Sequence, residues 1–299
     1  MLSVLVNLVW PVARHLVPLR DAWLADRRDR EKFKYKHGVY PDLKNPRTFN
    51  EKVMWKKRHD RNPLIPLSAD KYRVREYLAM RLGPERAAEV SIPLLHVGDD
   101  ADAIPFDALP PDYIVKANHG TGWNIIVRHG EADRAAIREA CARWLRTPFG
   151  YLTLEWGYTQ IPRLVVIEKL LTDKNGDIPG DYRLFVFHGT VRMIQVESDR
   201  YASPKRNLYD RDWNLLPVTC THPNGPIPPP PENLAAMVTL AETLAQPFDF
   251  LRVDLYGVDD RLYVGELTHY PSASMAIFRP PSFDAELGAW WTLKKGYWR

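Results

Sequence analysis

Two acidic residues in the last third of this 299-residue chain carry its most specific chemistry. Leu251-Arg252-Val253-Asp254-Leu255-Tyr256 and Tyr263-Val264-Gly265-Glu266-Leu267-Thr268 alternate apolar and polar residues, so each is expected to form a strand. Gly257-Val258-Asp259-Asp260-Arg261 supplies a polar turn between them. A period of two puts Arg252, Asp254 and Tyr256 on one face, and Glu266 and Thr268 share a face of the next strand. Pairing the two strands could bring Asp254 and Glu266 onto one wall. Adjacent carboxylates repel unless a cation or proton lies between them, and a hard divalent ion such as Mg2+ carrying a nucleotide phosphate resolves that conflict. A solvated hairpin with ordinary surface charges is the alternative.

Three earlier segments bring further reactive groups. Lys116-Ala117-Asn118-His119-Gly120-Thr121-Gly122-Trp123-Asn124 is a glycine-containing turn between two strands. Small residues let backbone N–H groups close over an anion, and Lys116 at the strand end could neutralise a phosphate. It is not a Walker A loop, because the spacing is absent and a strand follows where a helix is required. Taken alone, it also reads as a plain hairpin turn, with His119 as a hydrogen-bonding residue. Val165-Val166-Ile167-Glu168-Lys169-Leu170-Leu171 is an apolar strand that ends in an acid and a base. Such an end can offer backbone groups to an adenine edge, or simply leave the core with Glu168 and Lys169 exposed. Asp181-Tyr182-Arg183 opens the next hairpin, where Arg183 could stabilise charge on a transferring phosphoryl group. Arg200, Lys205 and Arg206 read as a polar loop that could hold an acidic substrate or be solvated.

The elements that must position these residues are mixed strands and helices, which indicates α+β rather than a regularly alternating parallel sheet. Up to about Leu82 the chain reads as helical and basic. Asn50 is the expected N-cap of a helix whose apolar face begins at Val53, Met54 and Trp55. Asp70-Lys71-Tyr72 leads into a second helix with Tyr72, Val74, Tyr77 and Leu78 as core. Tyr113–Lys116 and Asn124–Val127 are partner strands, and Asp133–Arg146 is an amphipathic helix with Ile137, Cys141, Trp144 and Leu145 inward. Arg183–Phe187 and Val191–Val196 form a hairpin around His188-Gly189. The proline run Pro226–Pro231 is a linker before the helix Asn233–Ala245.

Composition sets outer limits. An apolar fraction of 45% and a charged fraction of 26% fit a folded globular protein. A net charge of +4 suits an anionic small molecule or polymer but gives no basis for expecting nucleic acid as partner. Cys141 and Cys220 have no metal-ligand spacing and fit a reducing compartment. Met1 to Leu19 is apolar, but Pro11, Arg14, His15 and Pro18 break it, so no spanning helix is expected. It lacks a basic leader and a small-residue cleavage site, so no signal peptide is expected either. A helix packed on the domain is favoured. A weak contact of residues 1–36 with the inner face of a membrane is the other option, given Arg20, Arg27, Arg28, Arg30, Lys32, Lys34 and Lys36.

The order of parts is more specific than any one of them. Strand-Lys-glycine turn, amphipathic helix, strand ending Glu-Lys-Leu-Leu, Asp-x-Arg hairpin, helix, then Arg-x-Asp hairpin to Glu-x-Thr resembles the ATP-grasp architecture. In that fold two α+β subdomains clasp ATP. More closely, the chain is similar to the TupA-like ATP-grasp family, named for teichuronopeptide biosynthesis, over about residues 33 to 290. The resemblance is carried by Pro46-Arg47-Thr48-Phe49-Asn50-Glu51-Lys52, Asp60-Arg61-Asn62-Pro63-Leu64, Ala69-Asp70-Lys71-Tyr72, Lys116 to Asn124, and Glu266-Leu267-Thr268-His269-Tyr270-Pro271.

The resemblance implies a helical or α+β region over residues 1–110, a central subdomain over 111–172 and a C-terminal subdomain over 173–299. It implies that Lys116 contacts the inner phosphates, that His119, Gly120, Thr121 and Gly122 form a flap over them, and that Glu168, Lys169, Leu170 and Leu171 are the adenine hinge. Asp181 would lie in the nucleotide site, with Arg183 and Arg252 near the transferred phosphate. Asp254 and Glu266 would ligate Mg2+. Thr268 stands where the wider superfamily usually has an asparagine ligand, and Arg183 where a lysine is expected. The implied reaction joins a uronic-acid carboxylate of a cell-surface glycan, or a nucleotide-uronate, to an amino acid or amino alcohol, with ATP and Mg2+ in the cytoplasm. A glycosyltransferase, a sugar kinase and a non-catalytic nucleotide-binding scaffold are the competing expectations.

Overall fold

The computed structural model describes residues 23–198, 204–294 and 296. The apolar segment Met1–Leu19 and Arg200 lie outside these residues. The first helix, α1, occupies residues 23–37. It is followed by α2 (Phe49–His59), α3 (Leu64–Ala69), α4 (Val74–Leu82) and α5 (Pro84–Val90). A first sheet comprises β1 (Leu94–Gly98), β2 (Tyr113–Ala117), β3 (Asn124–Val127) and β4 (Val165–Lys169), in the order β1-β4-β2-β3. Helices α6 (Arg134–Arg146) and α7 (Trp156–Thr159) lie between β3 and β4 in the chain. The second sheet contains β5 (Asp181–Phe187), β6 (Thr190–Ser198) and β7 (Lys205–Tyr209). After β8 (Thr219–Cys220) and α8 (Leu234–Ala245), β9 (Phe250–Val258) and β10 (Arg261–Thr268) complete it, in the order β10-β9-β5-β6-β7. The short β11 (Phe278–Arg279) pairs with β8, and α9 (Ser282–Ala289) follows.

All named pairings in both sheets are antiparallel. The α+β class expected from the sequence is therefore observed. β1 joins the first sheet by pairing with β4, so that sheet draws on residues 94–169. Tyr113, Val115 and Ala117 are buried with Ile137, Cys141 and Trp144 of α6, leaving Ile114 and Lys116 on the opposite face of β2. Leu145, expected inward, is only half-buried. In the second sheet the two faces differ. Val253 and Leu255 are buried on the side of α8, where Met237 lies against Gly257. The other face carries Arg183, Arg252 and Asp254, and at its far end an aromatic cluster of Phe49, Phe185, Phe187, Phe250 and Trp291 with ring centroids 4.8–6.3 Å apart.

Two expectations for the N-terminal helices are corrected, the first at α2. Its N-cap is Thr48 rather than Asn50: the Thr48 hydroxyl accepts from the Glu51 N–H at 3.2 Å while Glu51 accepts from the Thr48 N–H at 3.0 Å. This reciprocal box satisfies two donors at once. Asn50 lies inside the helix and is fully buried, exchanging hydrogen bonds with Ala276. The second correction is Tyr72, which is half-buried, whereas Val74, Tyr77 and Leu78 are core.

Helix α2 also buries charge. Lys57 pairs with Asp29 of α1 at 2.9 Å, and Arg58 reaches Asp29 at 2.6 Å and Asp26 at 3.0 Å. Nearby, burial pushes the Glu155 carboxyl up to about 7, opposed by a hydrogen bond from Thr153. The folded chain then keeps a proton that the unfolded chain releases near the ordinary value of 4.5. Between those two values the native state binds more protons than the unfolded state, so stability falls as pH rises toward 7 and levels off above it. The loss is on the order of 3 kcal/mol. Glu155→Gln should flatten this slope in urea titrations at pH 5 and pH 8 and be the more stable protein at pH 8. Parallel slopes for the two proteins would rule out Glu155 as the source.

Candidate active site

The β9–β10 hairpin forms as its alternation predicts, with one departure from simple pairing. Tyr263 pairs with Tyr256 and Val264 with Leu255, but Glu266, not Gly265, lies opposite Asp254. Gly265 is the extra residue of a β-bulge, and the bulge sets the two carboxylates directly across from one another. A side chain at Gly265 would meet the Tyr256 ring at 2.5 Å, so glycine is needed for this close approach.

Rows of partners extend across the sheet from that pair. Glu266, Asp254, Arg183 and Gln195 are successive neighbours, and Thr268 lies opposite Arg252. Arg252 donates twice to Asp254, at 2.7 and 2.6 Å, and once to the Thr268 hydroxyl at 3.1 Å. Arg183 donates to Asp181 at 3.0 and 2.7 Å and to Glu197 at 2.7 Å. Its Nε lies 3.7 Å from Asp254 Oδ2. Arg206 also binds Glu197 and is buried on β7, so it belongs to this network rather than to a polar loop, and Lys205 shares that strand. Glu197 was missed by sequence reading, although Gln195 and Glu197 recur at a period of two on β6 and were visible in that pattern.

The acids titrate unequally. Burial and the neighbouring Asp181 charge push Asp254 up to about 6, against the pull of Arg252 and Arg183. Burial also works to raise Glu266, but Lys71, Arg252, Arg183 and Lys116 outweigh it and hold Glu266 below the usual carboxylate range. Lys71 and Lys116 come from outside the second sheet. Lys116 is on β2, and Lys71 lies just before α4. The charged face of the second sheet therefore meets the lysine-bearing end of the first.

At that end, Lys116 Nζ binds Glu168 at 2.6 Å, and Arg75 binds the other Glu168 oxygen at 2.6 Å. Glu168 is thus buried and ion-paired, not an exposed strand end. Its register partners are Ile114 and Leu94, and the Lys169 N–H donates to Pro93. The strand ends there, leaving Leu170 and Leu171 beyond the ladder, with Leu170 buried. A cavity of about 440 Å3 lies beside this strand end and the β9–β10 turn, lined by Lys169, Leu171, Thr172, Val258, Asp259, Asp260, Arg261 and Tyr263.

The glycine-containing turn has a pinned base and an open tip. His119 is buried between Asn118 Oδ1 (3.1 Å) and the Thr147 carbonyl (3.2 Å), and burial lowers its pKa. Asn118 also donates to Asp70 and Pro162 and accepts from the Leu164 N–H. Lys71 Nζ binds the Gly120 carbonyl at 2.6 Å. Gly120 is close-packed on Trp123, where a Cβ would come within 2.7 Å. Thr121 and Gly122 at the tip are exposed, and Gly122 has φ +73°. Asp70, Lys71, Arg75 and Asn118 received no role from sequence, though Asp70, Lys71 and Asn118 lie in stretches that carried the resemblance.

Among the described residues no cluster of three or more His, Cys, Asp or Glu side chains forms a metal site. The donor set of Asp254, Glu266 and the Thr268 hydroxyl nevertheless fits Mg2+, which takes one or two carboxylates and completes its shell with phosphates and water. A carboxylate has about four acceptor positions, so Asp254 can serve Arg252 and an ion together.

Comparison with solved structures returned ATP-grasp proteins. The ATP-grasp ligase PsnB bound to a minimal precursor is 13% identical, with 71% of this chain and 56% of that chain covered and a TM-score of 0.41. D-alanine–D-alanine ligase from Bacillus anthracis is 17% identical, with 75% and 63% covered and a TM-score of 0.44. D-cycloserine synthetase DcsG is 16% identical, with 69% and 63% covered and a TM-score of 0.41. The chain thus spans less than two thirds of the length of each. No curated protein sequence matched. The model of the family described as TupA-like ATPgrasp matches residues 51–292, which include both sheets and all of the charged groups above apart from those of α1, and the chain belongs to that family.

Proposed function

We propose that this chain is an ATP- and Mg2+-dependent carboxylate–amine ligase acting on an acidic glycan or its nucleotide-linked precursor. The observation that carries this reading is the pairing of Asp254 with Glu266, with Lys116 of the first sheet and Lys71 ahead of α4 within electrostatic reach of Glu266. A triphosphate between those walls would meet cations on one side and a metal-binding pair on the other.

The roles follow from the contacts. Lys116 and Lys71 would meet the phosphates, beneath the exposed tip at Thr121 and Gly122. The base of adenine would lie by the cavity at the end of β4, where Leu170 and Leu171 have left the ladder. Asp254 and Glu266, with the Thr268 hydroxyl, would hold Mg2+, which when bound neutralises phosphate charge. Arg183 and Arg252 are held in place by carboxylates, and their positive charge would stabilise the transferred group. In the reaction a substrate carboxylate oxygen attacks the γ-phosphorus and ADP leaves. An amine nitrogen then attacks the acyl carbon, phosphate leaves, and one proton is lost to give the amide. No side-chain nucleophile is needed, and positioning and electrostatics supply the rate. Cys141 is buried, and His119 is buried at the base of the turn.

The decisive test is ADP release from amino acids and amino alcohols paired with free uronic acids or nucleotide-uronates, with product analysis. A ligase yields ADP, phosphate and an amide. ADP with a phosphosugar would indicate a sugar kinase, UDP or GDP a glycosyltransferase, and ATP binding without turnover a scaffold.

A further inference from the structure

Helix α1 (residues 23–37) is fixed to the body by one face and presents a cationic and aromatic face to solvent. The inner face carries Ala25, Asp29 and Phe33, all buried. Asp29 binds Lys57 and Arg58, Asp26 binds Arg58, and His37 Nε2 meets the Ser274 carbonyl at 3.2 Å. Those contacts fix the rotation of the helix. At 100° per residue the remaining arc holds Trp23, Leu24, Arg27, Arg28, Glu31, Lys32, Lys34 and Tyr35 together. All eight are exposed, with Tyr35 at 86% and Trp23 at 58%. Val39 and Tyr40 extend the patch beyond the helix end.

Charge on this face is one-sided. Arg27, Arg28, Lys32 and Lys34 outnumber the single acid, Glu31, which is occupied by the Tyr40 hydroxyl at 2.9 Å. Two of the cations lie against rings, Arg27 at 5.6 Å from the Trp23 centroid and Lys34 at 4.4 Å from Tyr40. Cations and amphipathic aromatics interleaved on one helical arc match an anionic lipid headgroup layer, where the ammonium and guanidinium groups meet phosphate and the rings settle at the interface. No helix among the described residues is long and apolar enough to cross a membrane.

We infer that the outer face of α1 docks the protein on an anionic membrane surface. The inference is independent of the ligase reading and uses none of its residues. The test is co-sedimentation of the full chain with phosphatidylcholine vesicles with and without about one third phosphatidylglycerol, in 0.1 M salt. Wild type should partition onto the anionic vesicles and be released in 0.5 M salt. Each interfacial cation contributes about fivefold to partitioning, so Arg27→Gln/Arg28→Gln/Lys32→Gln/Lys34→Gln should bind a hundredfold or more weaker. Trp23→Ala/Tyr35→Ala should weaken binding while keeping the salt dependence. Thermal unfolding checks that the variants fold. No binding, equal binding to neutral vesicles, an unchanged quadruple variant, or equally tight binding to a duplex DNA probe would each overturn the inference.

Discussion

Glu266→Gln should lower ATP turnover about a thousandfold and leave the fold intact. Loss of a metal-ligating carboxylate removes several kcal/mol of charge stabilisation, and each decade of rate is about 1.36 kcal/mol. Glu266 is the cleaner of the two acids to test. It is half-buried, and its electrostatic neighbours are Lys71, Arg252, Arg183 and Lys116. Asp254→Asn should lose as much turnover but also some stability, because Asp254 is the bidentate partner of Arg252 and lies near Arg183. Measuring ADP release, the Mg2+ dependence of turnover and the thermal midpoint on each variant separates the two effects. A metal role raises the Mg2+ concentration needed for half-maximal turnover in Glu266→Gln at an unchanged midpoint. Wild-type turnover in that variant would show that the assignment of the metal pair is wrong.

What the sequence disclosed depended on the range of the interactions. The β9–β10 hairpin was legible because alternation and a polar turn are local signals, and the same holds for β2, β3, α6 and α8. The bulge was not. Alternation placed Asp254 and Glu266 on chosen faces, but only the extra residue at Gly265 makes them direct partners. The N-cap of α2 was misread because Thr48, like Asn50, is a good capping residue and the Glu51 contact decides between them. In isolation Glu168 looked more like an exposed strand end than a hinge, because its partners Arg75 and Lys116 are 93 and 52 residues away. β1 reads as a short apolar run, and its place beside β4 is a long-range fact. Lys56 and Lys57 were the least legible. In sequence they extend a basic helix face that should be solvated, yet both are buried against distant aspartates.

Lys56→Met should therefore destabilise the protein by about 3–5 kcal/mol, the usual cost of removing one partner from a buried ion pair. Lys56 Nζ lies 2.9 Å from Asp249 Oδ1 and 2.9 Å from Asp60 Oδ2. Burial works against the ammonium, but the two aspartates more than compensate and raise its pKa. Burial likewise raises Asp249, and Lys56 reverses this, holding it below its ordinary value. Methionine fills the volume but leaves two buried carboxylates to repel one another. Against a typical total of about 5–15 kcal/mol, this is a large fraction of the stability. The loss bears on the site as well. Asp249 immediately precedes β9, accepts from the Lys294 N–H through Oδ2, and offers its carbonyl to His188. These bonds fix the start of the strand that carries Arg252 and Asp254. Lys56→Met should accordingly lose turnover on warming well before wild type does, while its activity at low temperature stays close to wild type. In urea titrations, adding Asp249→Asn to Lys56→Met should cost less than the sum of the single changes, since one stranded charge has been removed. A cost under about 1 kcal/mol for Lys56→Met would mean that water reaches the aspartates and that the pair is not the strut of β9.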